Sequence, residues 1–291
     1  MKKKISFYAG LFLCIWMLCS MTGMAASKTG FVTYKTGNTV YLKNGRRLKG
    51  FQTIKGKKYY FDAKGILKKN CWFQDNGYWY RADEKGRIQK GLWTDKKDRV
   101  FYLDKTGKRK SGWQKINEKY YFFSLSSGVM QKNKTVDGIR LQKNGKDKVT
   151  SKNSKTLMTY VLAQQVVEQV TTPTMSKAQK LRACFTWVVA KPYKTIRYPF
   201  KEYQGWAEDY ANDIFIRGGG TCYSDGAAVA FLANALGYKD VCVSSSGGHG
   251  WAEINGMVYD PLLWESQKDE RYFGQIRAGG TFKAYYQVRI K

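Results

Sequence analysis

The stretch SGWQKINEKYYFFSLSSGVMQK, residues 111–132, contains the pattern that decides the fold of the first half of the chain. Trp113 stands near its start, an aromatic doublet follows a polar turn, and Gly128 marks a loop near its end. Two β-prone segments joined by a short polar turn predict a β-hairpin. Because an isolated hairpin is barely stable in water, this one must pack against similar units.

The same pattern recurs along residues 36–146 with a period of 20 or 21 residues. The recurring positions are an aromatic residue at Phe51, Trp72, Trp93 and Trp113, and a glycine at Gly45, Gly65, Gly86, Gly107 and Gly128. A fixed period of this length is typical of solenoids, in which each unit contacts mainly its neighbours. We therefore expect an all-β solenoid of about 20-residue hairpin repeats, with aromatic-walled pockets between units.

These units resemble the choline-binding-type cell-wall-binding repeats of Gram-positive surface proteins. In that family, aromatic residues of adjacent repeats cage a choline group or stack on glycan. The resemblance implies ligand-binding roles for Trp72, Trp79, Tyr80, Trp93, Tyr102, Trp113 and Tyr121, and extends to Tyr60. A purely structural role in the core is the alternative for each of them. A quaternary ammonium gains about 1 to 2 kcal/mol from a desolvated ring face, and several weak sites add through avidity.

The charge of the chain is concentrated in the repeats. Between Ser27 and Asn153 there are 32 Lys and Arg against 10 Asp and Glu, a net charge of +22, whereas residues 154–291 have 16 against 12, or +4. Such a field attracts polyanions, and salt weakens the attraction. We expect a cell-wall polymer as partner, namely teichoic acid, choline-bearing polymer or glycan. Nucleic acid is the weaker candidate for an exported protein.

The N-terminus predicts export. Three lysines, Lys2 to Lys4, precede an apolar run from Ile5 to about Met21, and small residues follow. This order is typical of a signal peptide, here residues 1–26, although a membrane anchor is the alternative. The expected protein is secreted and associated with the cell wall, with no membrane span after cleavage. Composition then divides it into a repeat domain, residues 27–150, and a second domain, residues 151–291.

The second domain begins with two amphipathic helical patterns, over residues 157–167 and 181–188. Ser176 and Gln179 have the spacing of a capping box at the start of the second helix. Further along, Gly218-Gly219-Gly220-Thr221-Cys222 is followed by an amphipathic run that stops at Gly237 and has Val229, Leu232, Ala233 and Leu236 on one face. Cys222 is therefore expected to begin a helix, whose dipole and free N–H groups favour the thiolate.

The sequence GGHGWAEINGMVYDP, residues 247–261, contains His249, the only histidine of the chain. Asn255 and Gly256, flanked by β-prone residues, predict a two-residue hairpin loop. Counting outward from that loop pairs Trp251 with Asp260 and places Asp260 diagonal to His249, within side-chain reach. Cys222, His249 and Asp260 thus form a candidate set of nucleophile, base and orienting carboxylate.

Three sequence blocks in this region resemble the transglutaminase-like domain: KLRACFTWVVAKPYKTIRY, GGGTCYSDGAAVAFLANALGY and HGWAEINGMVYDP. The resemblance implies an α+β, papain-related fold, and the family's catalytic Cys, His and Asp match Cys222, His249 and Asp260. It implies attack on a peptide or carboxamide carbonyl through a thioester, most simply a cysteine peptidase or amidase acting on surface proteins or peptidoglycan peptides. A protein cross-linking transglutaminase and a non-enzymatic wall-binding adhesin remain the alternatives.

Metal and cofactor chemistry are not predicted. Four cysteines follow the signal peptide, at Cys71, Cys184, Cys222 and Cys242, and none belongs to a C-x-x-C motif. With one histidine in the chain, this set argues against a structural zinc site. Cys184 lies on an apolar helical stripe and Cys242 lies in a strand-like segment, so both are expected to be buried structural thiols.

Overall fold

A computed structural model describes residues 28–147, 150, 153–276 and 282–290. The predicted signal peptide, residues 1–26, lies outside the described residues. Backbone contacts divide the chain into two units, residues 1–52 with 60–67 and residues 53–59 with 68–291. Each unit is described separately.

The first unit contains a three-stranded antiparallel sheet of β1 (Gly30–Thr33), β2 (Thr39–Lys43) and β3 (Arg46–Arg47). Its apolar core includes Val40, Phe61 and Leu67, all buried. Strands β4 (Gly50–Ile54) and β5 (Lys57–Phe61) contain residues of both units.

The second unit contains the remaining hairpins, each of two antiparallel strands: β6 (Cys71–Asp75) with β7 (Tyr78–Ala82), β8 (Gly91–Thr94) with β9 (Val100–Leu103), β10 (Gly112–Ile116) with β11 (Lys119–Phe123), and the short β12 (Thr135–Val136) with β13 (Ile139–Arg140). The β6–β7 loop is Asn76-Gly77, with φ of 49° and 78°. Positive φ at both loop residues is the backbone that a type I′ hairpin turn requires. The predicted hairpin repeats are confirmed.

Successive hairpins are joined by backbone hydrogen bonds. The Arg109 amide donates to the Trp79 carbonyl at 2.8 Å, and the Met130 amide donates to the Val100 carbonyl at 2.7 Å. In both cases the donor follows the loop of one repeat and the acceptor lies in the preceding hairpin. Within the second unit, these repeats are therefore linked to one another by backbone hydrogen bonds, as in a solenoid.

The C-terminal part of this unit contains five α-helices: α1 (Ser154–Val170), α2 (Lys177–Val189), α3 (Trp206–Arg217), α4 (Cys222–Ala235) and α5 (Pro261–Gln267). The predicted capping box is present, with the Gln179 amide 3.2 Å from Ser176 Oγ and the Ser176 amide 2.8 Å from Gln179 Oε1. Helix α4 is buried along almost its whole length and not on one face only, so its predicted amphipathic character is wrong, because other helices cover the faces that the sheet does not. Helices α1, α2 and α4, which the sequence predicts, are confirmed.

A five-stranded antiparallel sheet packs against these helices. Its order is β17-β16-β15-β14-β18, where β14 is Val241–Ser245, β15 is Gly250–Ile254, β16 is Met257–Tyr259, β17 is Phe273–Ile276 and β18 is Tyr286–Arg289. Helix α4 packs on β14 and β15 on one side and against α1, α2 and α3 on the others. Strands β15 and β16 form the predicted hairpin around Asn255 and Gly256.

Within the second unit, the last repeats and the helices share one apolar core. The Trp113 ring stacks on Tyr160 of α1 with a centroid separation of 5.9 Å and an interplanar angle of 8°. The Trp113 indole donates to Asp137 Oδ2 at 2.8 Å, and Lys110 forms an ion pair with Glu168 of α1. The domain boundary between residues 150 and 151 stays a prediction. Part of the predicted linker, residues 148–149 and 151–152, lies outside the described residues.

Candidate functional site

The β15–β16 hairpin has the register that the sequence predicts. Ile254 faces Met257 and Ala252 faces Tyr259, so the next residues outward are Trp251 and Asp260. His249 precedes β15, and its Nε2 atom lies 2.5 Å from Asp260 Oδ2. Hairpin geometry alone therefore brings the imidazole and the carboxylate together.

Asp260 is fixed from both sides. Its side chain is fully buried, and Oδ1 accepts a hydrogen bond from the Leu263 amide at 3.0 Å, which makes Asp260 the N-cap of α5. An N-cap carboxylate is held by orphan backbone donors of the first helical turn. The other oxygen, Oδ2, is thus directed at His249 and orients the ring.

Cys222 is the first residue of α4, as predicted, and it is 5% exposed. Helix α4 can approach β15 closely because glycines lie at the contact. A Cβ on Gly226 would lie 2.6 Å from Trp251 Cα, and a Cβ on Gly250 would lie 2.7 Å from Tyr223 Cα. The absence of these two side chains lets the start of α4 reach the strand that follows His249.

The electrostatics of the histidine connect the three residues. Burial opposes the charged imidazole, but hydrogen bonds to Asp260 and to Cys222, together with the charges of both groups, raise the pKa of His249 to about 10. Because Nε2 faces Asp260, the other ring nitrogen, Nδ1, is the one available to the thiol. The arrangement can take a proton from Cys222 and hold it as an imidazolium beside a thiolate.

The loop before His249 is anchored by groups that sequence reasoning missed. The Tyr223 hydroxyl donates to the Gly247 carbonyl at 2.9 Å, and the Gly247 amide donates to Ser245 Oγ, also at 2.9 Å. Ser246 Oγ accepts from the His249 amide at 3.2 Å. Tyr223 directly follows Cys222 in the sequence, so one residue of α4 fixes the loop that positions the histidine.

A further carboxyl group, Asp225, lies one helical turn after Cys222 and was also missed. Desolvation, followed by the negative charges of Asp260 and Glu265, raises the pKa of Asp225 well above its ordinary value, while His249 acts in the opposite direction. Burial of this kind disfavours the charged form of a carboxyl group. Its position three residues after the cysteine was the available signal.

The other cysteines have different surroundings. Cys184 in α2 is buried, and burial raises its pKa to about 12. Cys242 is buried in β14, and Cys71 in β6 is half-buried. The burial expected for Cys184 and Cys242 is confirmed. Among the described residues, no group of three or more His, Cys, Asp or Glu side chains could hold a metal ion.

The repeats contain a second candidate site. Trp72 and Trp93 lie edge to face with ring centroids 5.5 Å apart, and Phe101 lies 5.1 Å from Trp72 and 5.8 Å from Trp93. The two tryptophans line an open groove of about 700 Å³ together with several charged residues. Phe101 was not among the predicted ligand-binding residues. Its position as the cross-strand partner of Trp93 was the signal for it.

The other predicted aromatic residues have varied environments. Tyr80, Trp113 and Tyr121 are buried, at 4%, 3% and 7% exposure, whereas Trp79 is 37% exposed. Tyr102 is half-buried and stacks on Phe123 at 6.0 Å. In the first unit, Tyr60 packs edge to face on Phe51 at 4.8 Å. The structure thus brings together Trp72 and Trp93, and the ligand-binding roles of the whole set stay predictions.

Comparison with known proteins identifies the repeats. Residues 49–67, 72–88 and 111–130 match the family described as a putative cell wall binding repeat. These three segments are similar to choline-binding-type cell-wall repeats. No curated protein matches the chain at a significant level.

Several solved structures are similar over part of the chain. CbpF, crystallised with ipratropium, is 30% identical over 42% of this chain and 39% of that chain, with a TM-score of 0.39. The modular autolysin LytC from Streptococcus pneumoniae is 24% identical over 41% and 28% of the two chains, with a TM-score of 0.35. The choline-binding domain of CbpL from Streptococcus pneumoniae is 25% identical over 41% and 64%, also with a TM-score of 0.35. The alignment with CbpF thus covers only about two fifths of that relative's length.

The predicted α+β, papain-related transglutaminase-like fold is wrong. CbpF and the choline-binding domain of CbpL, which match this chain, are made of repeated small β-hairpins, and neither shows a transglutaminase-like domain. The three sequence blocks fix three local elements, namely helix α2, a helix starting at Cys222 and a hairpin at Asn255-Gly256. Local elements of this kind are compatible with more than one chain topology, so the blocks could not establish the fold.

The repeat match supports the predicted association with the cell wall. No helix among the described residues combines the length and the apolar character that a membrane span requires.

Proposed function

We propose that this protein binds a cell-wall polymer through its repeats and attacks peptide or carboxamide carbonyls through Cys222, His249 and Asp260. The repeat match supports the first half, and taken alone it fits a non-enzymatic wall-binding protein better than an enzyme. The second half rests on the site alone. The observation that carries it is the 2.5 Å contact between His249 Nε2 and Asp260 Oδ2, at the open end of a hairpin whose strand β15 packs against the helix that begins at Cys222.

In the proposed reaction, His249 accepts the proton of Cys222, and the resulting thiolate attacks the carbonyl carbon. Asp260 stabilises the imidazolium that forms. The tetrahedral intermediate collapses as His249 returns the proton to the leaving amine, which yields a thioester and a free amine. Water or a second amine then attacks the thioester and regenerates the thiol.

The outcome of the thioester step separates the two enzymatic alternatives. Hydrolysis makes the protein a peptidase or amidase, and attack by an amine makes it a cross-linking transferase. We propose hydrolysis, because water needs no dedicated second binding site. Mass spectrometry of wall peptides and surface proteins incubated with the full chain distinguishes the two, since hydrolysis of a carboxamide changes the mass by one unit and cross-linking joins two substrates.

The matched control for this experiment is Cys222→Ala, with Cys184→Ala as a second variant that leaves the proposed site intact. Product that requires Cys222 and not Cys184 supports thiol catalysis. If the wild type and Cys222→Ala give the same substrate masses across this panel, the enzymatic half of the proposal is wrong, and the non-enzymatic wall-binding alternative replaces it.

The wall-binding half has a separate test. The full chain should sediment with Gram-positive cell walls and be released by salt, because the repeats account for most of the +29 charge of the chain. Walls stripped of teichoic acid should bind less protein. Equal binding to stripped and intact walls would exclude an anionic polymer as the partner.

A further inference from the structure

Arg81 is an exception within the repeats. The second strand of each hairpin is followed directly by an equivalent polar residue, and these residues are Asp62, Asp83, Asp104 and Ser124. The residue two positions before this polar residue is aromatic in three repeats and basic in one. The four residues are Tyr60, Arg81, Tyr102 and Phe122. Arg81 pairs across the hairpin with Trp72, as Phe122 pairs with Trp113. One repeat therefore has a cation where the other three have an aromatic ring.

The Arg81 side chain lies against the ring cluster of Trp72, Trp93 and Phe101. Its guanidinium carbon is 5.0 Å from the centroid of Trp93. Nη2 donates to Asn70 Oδ1 at 2.6 Å, and Nη1 donates to the Ala82 carbonyl, so the group is held in place. A cation within about 6 Å of an aromatic face is the arrangement by which rings bind quaternary ammonium ligands. Arg81 thus already occupies the position that such a ligand would need.

The groove around this cluster is basic. It is lined by six basic side chains and three acidic ones, and the basic set is Arg81, Lys85, Arg87, Lys96, Lys97 and Arg99. Arg87 and Arg99 pair with Asp83 and Asp95, each at 2.6 Å. The acidic residues therefore offset only part of the positive charge, and the remaining field favours an anionic ligand.

We propose that the groove lined by the β6–β7 and β8–β9 hairpins binds an anionic, phosphate-bearing polymer and excludes choline, because Arg81 fills the aromatic cluster from within the chain. Arginine is well suited to this role, since its planar donors match phosphate oxygens. The inference rests on the proposed wall-binding function and specifies the ligand of one site within it.

The test uses calorimetry on the full chain with two probes, choline chloride and a poly(glycerol phosphate) chain that has no choline. Arg81→Tyr restores the residue type of the other units and should fold, since Tyr60 and Tyr102 occupy the equivalent positions. This variant should bind one more choline per chain than the wild type. It should also bind the polymer about tenfold more weakly, as expected for loss of a charge-assisted hydrogen bond.

Two further variants make the result specific. Arg87→Gln removes the same charge from the same groove without touching the rings, so it should gain no choline site and lose less polymer affinity than Arg81→Tyr. Adding Trp93→Ala to Arg81→Tyr should remove the gained choline site.

An equal number of choline sites in the wild type and in Arg81→Tyr would overturn the inference. So would an equal loss of polymer affinity in the Arg81 and Arg87 variants. If the wild type bound neither the polymer nor cell walls, the wall-binding proposal itself would be refuted. Wall binding that is insensitive to Arg81 would leave that proposal intact and overturn only the assignment of this groove.

Discussion

Replacing Gly226 by Ala tests whether close packing of α4 on β15 assembles the proposed site. An added Cβ would lie 2.6 Å from both Cα and the carbonyl carbon of Trp251, and 2.8 Å from its nitrogen. Since carbon atoms pack at about 3.5 to 4.0 Å, the helix and the strand must separate by about 1 Å. The contacted atoms are backbone, so no side-chain rotation relieves the clash.

Two opposing effects decide whether the variant is more or less stable than the wild type. Alanine in a helix interior is favoured over glycine by about 0.5 to 1 kcal/mol, which alone would stabilise the variant. Overpacking a buried contact costs about 1 to 3 kcal/mol. We therefore expect the free energy of unfolding to fall by about 1 to 2 kcal/mol, measured by urea denaturation. Because Trp251 is two residues from His249, the rate of Cys222 alkylation by iodoacetamide should fall as well.

Gly248→Ala is the matched control. This glycine also adjoins His249, but a Cβ there would meet no atom within 4 Å. Gly248→Ala should therefore change the free energy of unfolding by less than Gly226→Ala does. If Gly226→Ala were as stable as the wild type and its Cys222 reacted at the same rate, the close approach of α4 and β15 would not be what assembles the site.

Two further predictions concern the support of the site and the shared core. Tyr223→Phe removes the hydroxyl that donates to the Gly247 carbonyl at 2.9 Å, so it should cost about 1 kcal/mol in urea denaturation and slow alkylation of Cys222, and an unchanged alkylation rate would contradict its positioning role. Desolvation raises the pKa of Asp137, although Trp113, Lys239 and Asn234 act in the opposite direction. The folded state therefore favours the protonated acid. The stability that this group contributes is lost as pH rises through the raised pKa. Asp137→Asn should therefore raise the thermal midpoint at pH 7 relative to the wild type and have a smaller effect at pH 3, and an equal effect at both pH values would exclude this cause.

Features that depend on short segments were predictable from the sequence. The hairpin at Asn255 and Gly256 requires positive φ at both residues, which these residue types adopt readily, with observed values of 52° and 76°. Once the loop is fixed, counting residues places Asp260 beside His249. The repeats were predictable because their period of 20 or 21 residues is visible directly in the sequence.

Features that depend on long-range packing were not predictable. The stacking of Trp113 on Tyr160 joins residues from a repeat and from α1, and neither local pattern specifies the other as its partner. The Arg81 residue type was visible in the sequence, but its position over the Trp93 ring depends on side-chain direction and on the next repeat. The fold prediction failed for the same reason, because three correct local elements do not determine how the chain connects and packs them.

The most direct test of the proposed catalytic site is an NMR titration of His249, whose imidazole is the only one in the chain. The account predicts a pKa near 10 in the wild type, because interactions with Asp260 and Cys222 outweigh burial. Both Cys222→Ala and Asp260→Asn should lower that pKa, since each removes a partner that stabilises the charged ring. A His249 pKa that neither substitution changes would show that the three residues do not act together, and would contradict the account.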